Sequence, residues 1–387
     1  FIEKFITNPR HIEIQILADT KGNMVYLGER ECSIQRRHQK IIEECPSPLV
    51  EERMRKKMGK QALMLAKAVN YYSAGTVEFV ASSDQSFYFL EMNTRLQVEH
   101  PVTELVTDID LVEHMIKIAC KQTLAIKQSD VKLKGWSIEA RIYAEDPFHD
   151  FLPSTGRITS FLSPVTKKDS KIEIRLDSGV TEGNEISIYY DPMMAKLITH
   201  GKNREDARKS LVNALNLFVL NGVSNNISFL NNVINNKVFI SGLVNTRFID
   251  QEYKSGFKGN EVKNEVMLLV ALTSISIKAL EVNRAMYVGM KKIGEFYVGL
   301  EDKDFLFRYK FLKSSEDGDH LIELKRSSKK FLVKIKPLFI NSLIQVTLEN
   351  EEHYVQYKKV TGGYRVKYSG YDGFVSVNSL DEYKLKK

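Results

Sequence analysis

Along residues 11–17 and 23–27 apolar side chains alternate with polar ones, the period of a strand with two unlike faces, and residues 19–23 supply turn formers between them. The chain therefore opens on a β-hairpin. Over 51–69 the spacing lengthens toward about 3.6 residues, with Met54, Met58, Leu63, Leu65 and Ala68 set among charges, and predicts an amphipathic helix. Two further strands, 75–81 and 86–92, flank the turn Ser82-Ser83-Asp84-Gln85, and a helix over 110–121 follows. After Gly135 the pattern shortens to strands at 136–144, 157–162 and 172–176, broken by Pro147, Pro153, Pro164 and Gly179. An amphipathic helix over 204–220 comes next. Residues 250–260 turn polar and lose periodicity, which marks a domain boundary. Beyond it a helix over 262–281 precedes strand-like runs at 305–311, 331–335, 343–348, 364–368 and 374–377, the pattern of a small antiparallel barrel or sandwich.

Composition narrows the class. The 387 residues are 43% apolar and 27% charged, enough for two or three cores and unlike a disordered or fibrous chain. The most apolar stretch, 264–277, contains Thr273, Ser274 and Ser276 and falls short of the roughly 20 residues a spanning helix needs, so no membrane partner is expected. Cys32, Cys45 and Cys120 form no CxxC pair, which suits a reducing compartment such as bacterial cytoplasm or mitochondrial matrix. The formal charge of +7 lies mostly beyond residue 250, where 24 basic and 18 acidic side chains are interspersed. No zinc-finger, RNP or KH signature accompanies them, so a protein partner is favoured over nucleic acid. The opening at Phe1, without a leader, reads as the middle of a domain.

The segment Glu91-Met92-Asn93-Thr94-Arg95-Leu96-Gln97-Val98-Glu99-His100-Pro101 carries the candidate chemistry. In an extended backbone alternate residues share a face, so Glu91, Asn93, Arg95, Gln97 and Glu99 project together. Glu78 lies across from Glu91 if 75–81 and 86–92 pair. Two carboxylates and an amide oxygen suit Mg²⁺, and nothing in the row suits zinc. A second cluster, Gln35-Arg36-Arg37-His38-Gln39-Lys40, is read as an anion-facing lining rather than an ordinary surface loop.

These runs, with Glu3-Lys4-Phe5-Ile6, Asn8 to Glu13, Gly75 to Phe79, Glu139 to Pro147 and Tyr189 to Met193, resemble the biotin carboxylase family of ATP-grasp enzymes over about residues 1–250. The remainder is similar to the helix-plus-barrel module of acyl-CoA carboxylase alpha subunits, those for propionyl-CoA among them, with Tyr364-Arg365-Val366 and Asp381-Glu382-Tyr383 the better matching pieces. The resemblance implies an α+β fold: the C-terminal half of an ATP-grasp domain at 1–127, a biotin carboxylase C-terminal domain at 128–250, and a helix plus small antiparallel β-barrel at 251–387 that bridges subunits. It further implies ATP- and bicarbonate-dependent carboxylation of biotin through carboxyphosphate.

By that resemblance Glu78, Glu91 and Asn93 hold Mg²⁺ or Mn²⁺, and Glu99 is the base that deprotonates bicarbonate. Arg95, Gln97 and Lys40 hold the anion, with Val98 beside them, and Arg141 meets the biotin ureido oxygen. Glu3, Lys4 and Ile6 match the hinge at adenine, while His11, Gln35 and His38 match the nucleotide pocket. His100, beside a proline, is read as structural. The implied partners are a carboxyltransferase beta subunit and a biotinyl carrier domain in a hetero-oligomer. No G-x-G phosphate loop and no Met-Lys-Met signature occurs, so the chain reads as a fragment that is poorly active alone. Two alternatives stay open: another ATP-grasp ligase, such as a carbamoyl phosphate or aminoimidazole ribonucleotide enzyme, and a degenerate scaffold that only binds subunits.

Overall fold

The computed structural model describes every residue except 1, 3, 165–172, 260, 286–292, 302, 316–317, 339–341 and 387, so Glu3 and Ile172 lie outside the described residues. The hairpin predicted at the start is β1 (Arg10–Ala18) and β2 (Met24–Arg36), followed by β3 (Gln39–Cys45), α1 (Glu52–Ala68), β4 (Ser73–Ala81) and β5 (Phe87–Asn93). Asp19 closes the hairpin turn, its Oδ1 accepting from the backbone N–H of Lys21 (2.8 Å) and Asn23 (2.9 Å). Next come α2 (His100–Thr107), α3 (Leu111–Ala119) and β6 (Trp136–Tyr143). Short strands β7 (Glu145–Asp146), β8 (Leu152–Pro153), β9 (Gly156–Arg157), β10 (Ser160–Leu162) and β12 (Glu185–Ile186) surround β11 (Glu173–Ser178), and β13 (Met193–Gly201) leads into α4 (Arg204–Leu217). The helix expected to reach residue 220 stops at Leu217, because residues 219–221 form β14 (Val219–Asn221) against β10.

One antiparallel sheet, ordered β11-β13-β6-β3-β2-β1-β4-β5, organises residues 10–201. The division expected at residue 127 is not a break in it, since β3 pairs with β6 from Ile42↔Ala140 to Cys45↔Ser137. In β1 the alternation of apolar and polar residues separates two buried faces rather than a buried and a solvated one. Ile12, Ile14 and Ile16 pack with Val77 and Phe79 beneath Met54, Met58, Ala62 and Ala66 of α1. Glu13 and Gln15 point to the opposite face and are equally buried. Farther along the sheet, α4 and α5 (Ile227–Asn235) bury Ala207, Leu211, Phe229 and Leu230 with Ile142 and Leu197.

Two short helices, α6 (Lys237–Ser241) and α7 (Phe248–Glu252), lead to α8 (Asn264–Ala285). Strands β15 (Ile293–Leu300), β16 (Lys303–Ser314), β17 (His320–Arg326), β18 (Lys329–Pro337), β19 (Leu343–Leu348), β20 (Glu351–Val360), β21 (Gly363–Tyr368) and β22 (Tyr371–Asn378) close into a barrel, and α9 (Leu380–Lys386) follows. Val298, Phe307, Ile322, Val333, Val346 and Val366 point inward in alternation, against Leu272 and Ile275 of α8. Ser274 and Ser276 fit this core because their hydroxyls donate to the Val270 and Leu272 carbonyls one turn back, at 2.8 Å each. The barrel docks on α4 through polar contacts: Gln356 Nε2 donates to the carbonyls of Asn216 (2.9 Å) and Phe218 (3.0 Å), and Ser369 N–H donates to Asn216 Oδ1 (2.9 Å).

Candidate active site

The polar face of the sheet collects charge around Lys40. Its Nζ donates to Glu99 Oε1 at 2.6 Å, lies 3.3 Å from Glu78 Oε1, and contacts Glu13 Oε1 as well. Strands β1, β4 and β3 supply Glu13, Glu78 and Lys40, and the N-cap of α2 supplies Glu99. Burial alone would discharge these groups, but the surrounding carboxylates outweigh it and hold the Lys40 ammonium well above its ordinary range. The same balance, with Lys40 and Arg30 as the cations, holds Glu13 well below the usual carboxylate range. Arg30 has no exposed surface. Its guanidinium donates to Glu13 Oε2 (3.0 Å), Gln15 Oε1 (2.6 Å), Gln97 Oε1 (2.8 Å), Thr76 Oγ1 (3.0 Å) and Thr103 Oγ1 (3.1 Å).

His11 sits at the rim, with Nε2 3.2 Å from Glu13 Oε1 and 3.1 Å from Glu78 Oε2. Burial opposes its charge, yet the two carboxylates raise its pKa to about 9. Gln35 Nε2 meets the other ring nitrogen at 3.0 Å and donates to Cys32 O at 2.8 Å, so the His11–Gln35 pair expected in the nucleotide pocket is in contact.

Glu78 and Glu91 are opposed residues of β4 and β5, and Asn93 Nδ2 reaches Glu78 Oε1 at 2.9 Å and Glu91 Oε1 at 3.5 Å. Two carboxylates with an amide between them match the hard-oxygen donor set of Mg²⁺ or Mn²⁺. His11, Glu13 and Glu78 also bring ligand atoms within 4.8 Å of one another. On the far side of Glu99, Arg141 Nη2 donates to its Oε2 at 2.9 Å while Arg141 Nε donates to Glu43 Oε1 at 2.6 Å. Glu99 is therefore gripped by a lysine from β3 and an arginine from β6, one on each oxygen.

The expected extended row from Glu91 to Glu99 is corrected. Strand β5 ends at Asn93, the backbone turns, and Glu99 becomes the N-cap residue of α2 with Pro101 in the first turn, where proline's missing N–H costs nothing. Arg95 is exposed and, among the described residues, its Nη1 donates to the neighbouring Leu96 carbonyl (3.3 Å), outside the cluster. Gln97 is buried and bridges Arg30 to Glu78, donating to Glu78 Oε1 at 2.9 Å, so its amide is engaged internally. Val98 offers its carbonyl to Lys196 Nζ at 2.6 Å.

The Gln35–Lys40 run is likewise no continuous anion-facing lining. It is the β2–β3 hairpin, with Arg37 and His38 in the left-handed region at its tip. Arg36 pairs with Glu145 (2.7 Å), Arg37 pairs with Asp150 (2.7 Å) at the surface, and His38 is exposed; Lys40 alone of the three cations reaches the cluster. Lys4 is exposed and bonds Tyr88 Oη at 2.6 Å, and Ile6 is half-buried. His100 is fixed by Gln97 O at 2.8 Å, as a structural histidine would be.

Sequence reasoning missed Glu13, Arg30, Glu43, Glu139 and Lys196. The signal available was glutamate and glutamine inside runs of β-branched residues, His11 to Leu17 and Ile41 to Cys45, where a solvated face would favour threonine and lysine.

The polar face of the sheet gathers Glu99 between two cations, beside the Glu78–Asn93–Glu91 trio, and the chain belongs to the biotin carboxylase family of ATP-grasp proteins. Residues 1–127 match the family described as carbamoyl-phosphate synthase L chain, ATP binding domain, and residues 139–251 match the biotin carboxylase C-terminal domain. The chain is 42% identical to the propionyl-CoA carboxylase alpha chain of Ruegeria pomeroyi over 409 aligned positions, covering all of this chain and 59% of that relative. It is 53% identical to the mitochondrial propionyl-CoA carboxylase alpha chain of Sus scrofa over 275 residues, 70% of this chain and 37% of that one. Among solved structures, the biotin carboxylase domain of Hydrogenobacter thermophilus 2-oxoglutarate carboxylase with MgADP, ADP and bicarbonate superposes with a TM-score of 0.62 at 43% identity, covering 64% of this chain and 54% of that one. The biotin carboxylase subunit of a pyruvate carboxylase gives 0.62 at 44% identity, again over 64% and 54%. The chain thus spans 59% and 37% of the length of the two curated relatives and about half of each of the two solved structures. Among the described residues no helix is long and apolar enough to cross a membrane.

Proposed function

We propose that the chain forms the back half of the ATP site, the C-terminal domain and the subunit-bridging module of the biotin carboxylase component of an acyl-CoA carboxylase of the propionyl-CoA type. The observation that supports this best is the double grip on Glu99 by Lys40 and Arg141, beside the Glu78–Asn93–Glu91 trio. Bicarbonate bound between these groups loses its proton to Glu99 and attacks the γ-phosphate of ATP, giving carboxyphosphate and ADP. Carboxyphosphate then breaks down to CO₂ and phosphate, the released phosphate takes the proton of the biotin ureido nitrogen, and that nitrogen adds to CO₂.

Glu78, Glu91 and Asn93 would hold the divalent ion, which neutralises phosphate charge during transfer. Lys40 and Arg141 supply fixed positive charge on either side of the reacting anion, and Arg141 is positioned to stabilise the ureido oxygenate. Arg95, free of ion pairs among the described residues, is available to clasp bicarbonate with two parallel hydrogen bonds. Val98 lines the same turn. His11 and Gln35 face the nucleotide phosphates and ribose, with His38 at the hairpin tip, and Lys4 and Ile6 face adenine. Biotin arrives on a biotinyl carrier domain, and the helix-plus-barrel docks a carboxyltransferase beta subunit in a hetero-oligomer, in a bacterial cytoplasm or mitochondrial matrix.

The test is biotin- and bicarbonate-dependent ATP hydrolysis in a protein joining this chain to a complementary N-terminal ATP-grasp segment. Glu99→Gln is expected to lower turnover by about 100-fold or more, the usual contribution of a positioned base. Unchanged turnover in that variant removes Glu99 as the base. Absent turnover in the unsubstituted joined protein favours the non-catalytic scaffold.

A further inference from the structure

Glu139 lies on β6, directly opposite Glu43 of β3 and Ile198 of β13, and has no exposed surface. Neither of its carboxyl oxygens has a hydrogen-bond partner, and Glu43 Oε2 is also unpartnered. The charges facing it are Glu43 from β3, Arg141 on its own strand, Lys196 from β13 and Glu99 from the start of α2. Each cation among these is already committed. Arg141 is divided between Glu43 and Glu99, and Lys196 donates to Val98 O (2.6 Å) and pairs with Asp177 Oδ2 (3.3 Å).

Charge accounting across the cluster points the same way. The carboxylates Glu13, Glu43 and Glu99 are ion-paired by Arg30, Lys40 and Arg141. Glu139 is a further acid in the same cluster, and neither of its oxygens meets a cation among the described residues. An unpaired buried carboxylate costs far more than a buried hydrogen-bonded acid. Burial, with Glu43 next to it, indeed drives its carboxyl well above the ordinary range.

We propose that Glu139 is a positioning residue kept as a neutral carboxylic acid, which donates its proton to the free oxygen of Glu43 and so fixes the carboxylate that turns the Arg141 guanidinium toward Glu99. This rests on the reading of Glu99 and Arg141 above for its catalytic meaning, though not for its protonation. A side chain that donates from the same place, glutamine, preserves the arrangement; an apolar one of similar volume, methionine, removes the donor without leaving an unpaired charge. Both variants are therefore expected to keep the wild-type thermal midpoint to within a few degrees.

Two spectroscopic measurements on this chain decide the matter. Infrared spectra of the wild type minus Glu139→Gln, taken at pH 7 and again at pH 9, are each expected to show an un-ionised carboxyl band contributed by the wild type; absence of that band overturns the proposal. The Arg141 Nε–H resonance, shifted by its bond to Glu43, is expected to survive in Glu139→Gln and to move or broaden in Glu139→Met. An unmoved resonance in Glu139→Met overturns the positioning role. In the joined enzyme, Glu139→Met is expected to lower kcat about tenfold with KM for ATP unchanged, the scale of one lost hydrogen bond. Failure of the unsubstituted enzyme to turn over would count against the proposed function, whereas the two spectra would still decide the state of Glu139.

Discussion

Replacing Arg30 by methionine removes the one guanidinium that holds Glu13, Gln15, Thr76, Gln97 and Thr103 together. Volume is nearly conserved, so the cost is electrostatic rather than a cavity. Glu13, with no exposed surface, keeps Lys40 and His11 but loses the Arg30 guanidinium, and four neutral acceptors lose a donor. Breaking a buried pair from one side costs about 3–5 kcal/mol. The orphaned acceptors put Arg30→Met at the upper end of that range. Trp136 is the only tryptophan in the chain and sits on β6 with Nε1 donating to Glu44 Oε2 at 2.7 Å, so its fluorescence in urea reports the large sheet rather than the barrel. Combining Arg30→Met with Glu13→Gln should recover part of the loss, because the under-paired charge disappears; an interaction energy above about 1 kcal/mol is expected for residues in direct contact. A loss for Arg30→Met below about 1 kcal/mol, or strict additivity in the double variant, would refute the view that a compensated charge network holds this face together.

Asp19 accepts four hydrogen bonds, from Lys21 N, Asn23 N, Asn23 Nδ2 and Leu124 N, and although burial opposes it these donors hold its carboxyl below the usual aspartate range. Because the folded-state pKa is depressed, this stability is present above the ordinary aspartate value of about 4 and fades as pH falls through the lower folded value. Asp19→Asn should therefore lose about 2 kcal/mol at pH 7 and show a flatter stability profile between neutral and acid pH, measured by urea titration at each pH. Gly222 has φ +106°, and a Cβ there would run into the Arg157 carbonyl and crowd Thr159 N at 2.7 Å. Gly222→Ala combines a disfavoured backbone with a backbone collision and should cost about 3–5 kcal/mol, read as a lowered thermal midpoint; an unchanged midpoint would contradict the close approach of the β9–β10 segment to β14.

The hairpin and the β4–β5 pairing were legible because turn formers sit between alternating runs, and that pairing alone brought Glu78 opposite Glu91. What alternation could not convey was which face meets water. In β1 the polar face is buried because charges from four segments neutralise one another there, and no local pattern in residues 10–18 announces partners as distant as Lys40 and Arg30. Helix α2 was hidden by Pro101 and by Val98, Val102 and Val106, residues that read as extended although proline suits a first helical turn. The barrel strand β20 was not singled out, for a complementary reason. Of the ten residues of β20 only Val355 is fully buried, so a strand with an open outer face and bulky, half-exposed neighbours looks polar from end to end.

The position of Glu99 explains why the two family-matched stretches share one sheet. Its carboxylate takes Lys40 from the first stretch and Arg141 from the second, and Lys196 of β13 holds the Val98 carbonyl one residue earlier. The turn that presents Glu99 is thus clamped from three strands, β3, β6 and β13, of which only β3 belongs to the stretch that carries Glu99. A buried network of this kind is weak support for stability, since well-packed apolar residues do as well or better in the same volume. Its geometry is better accounted for as preorganisation: fixed charges aimed at one carboxylate need no rearrangement when an anion arrives, which is where such arrangements contribute most to rate. The continuous hydrogen bonding from β3 to β6 is what makes that aim rigid, because a hinge between the stretches would let Arg141 and Lys40 drift apart across Glu99.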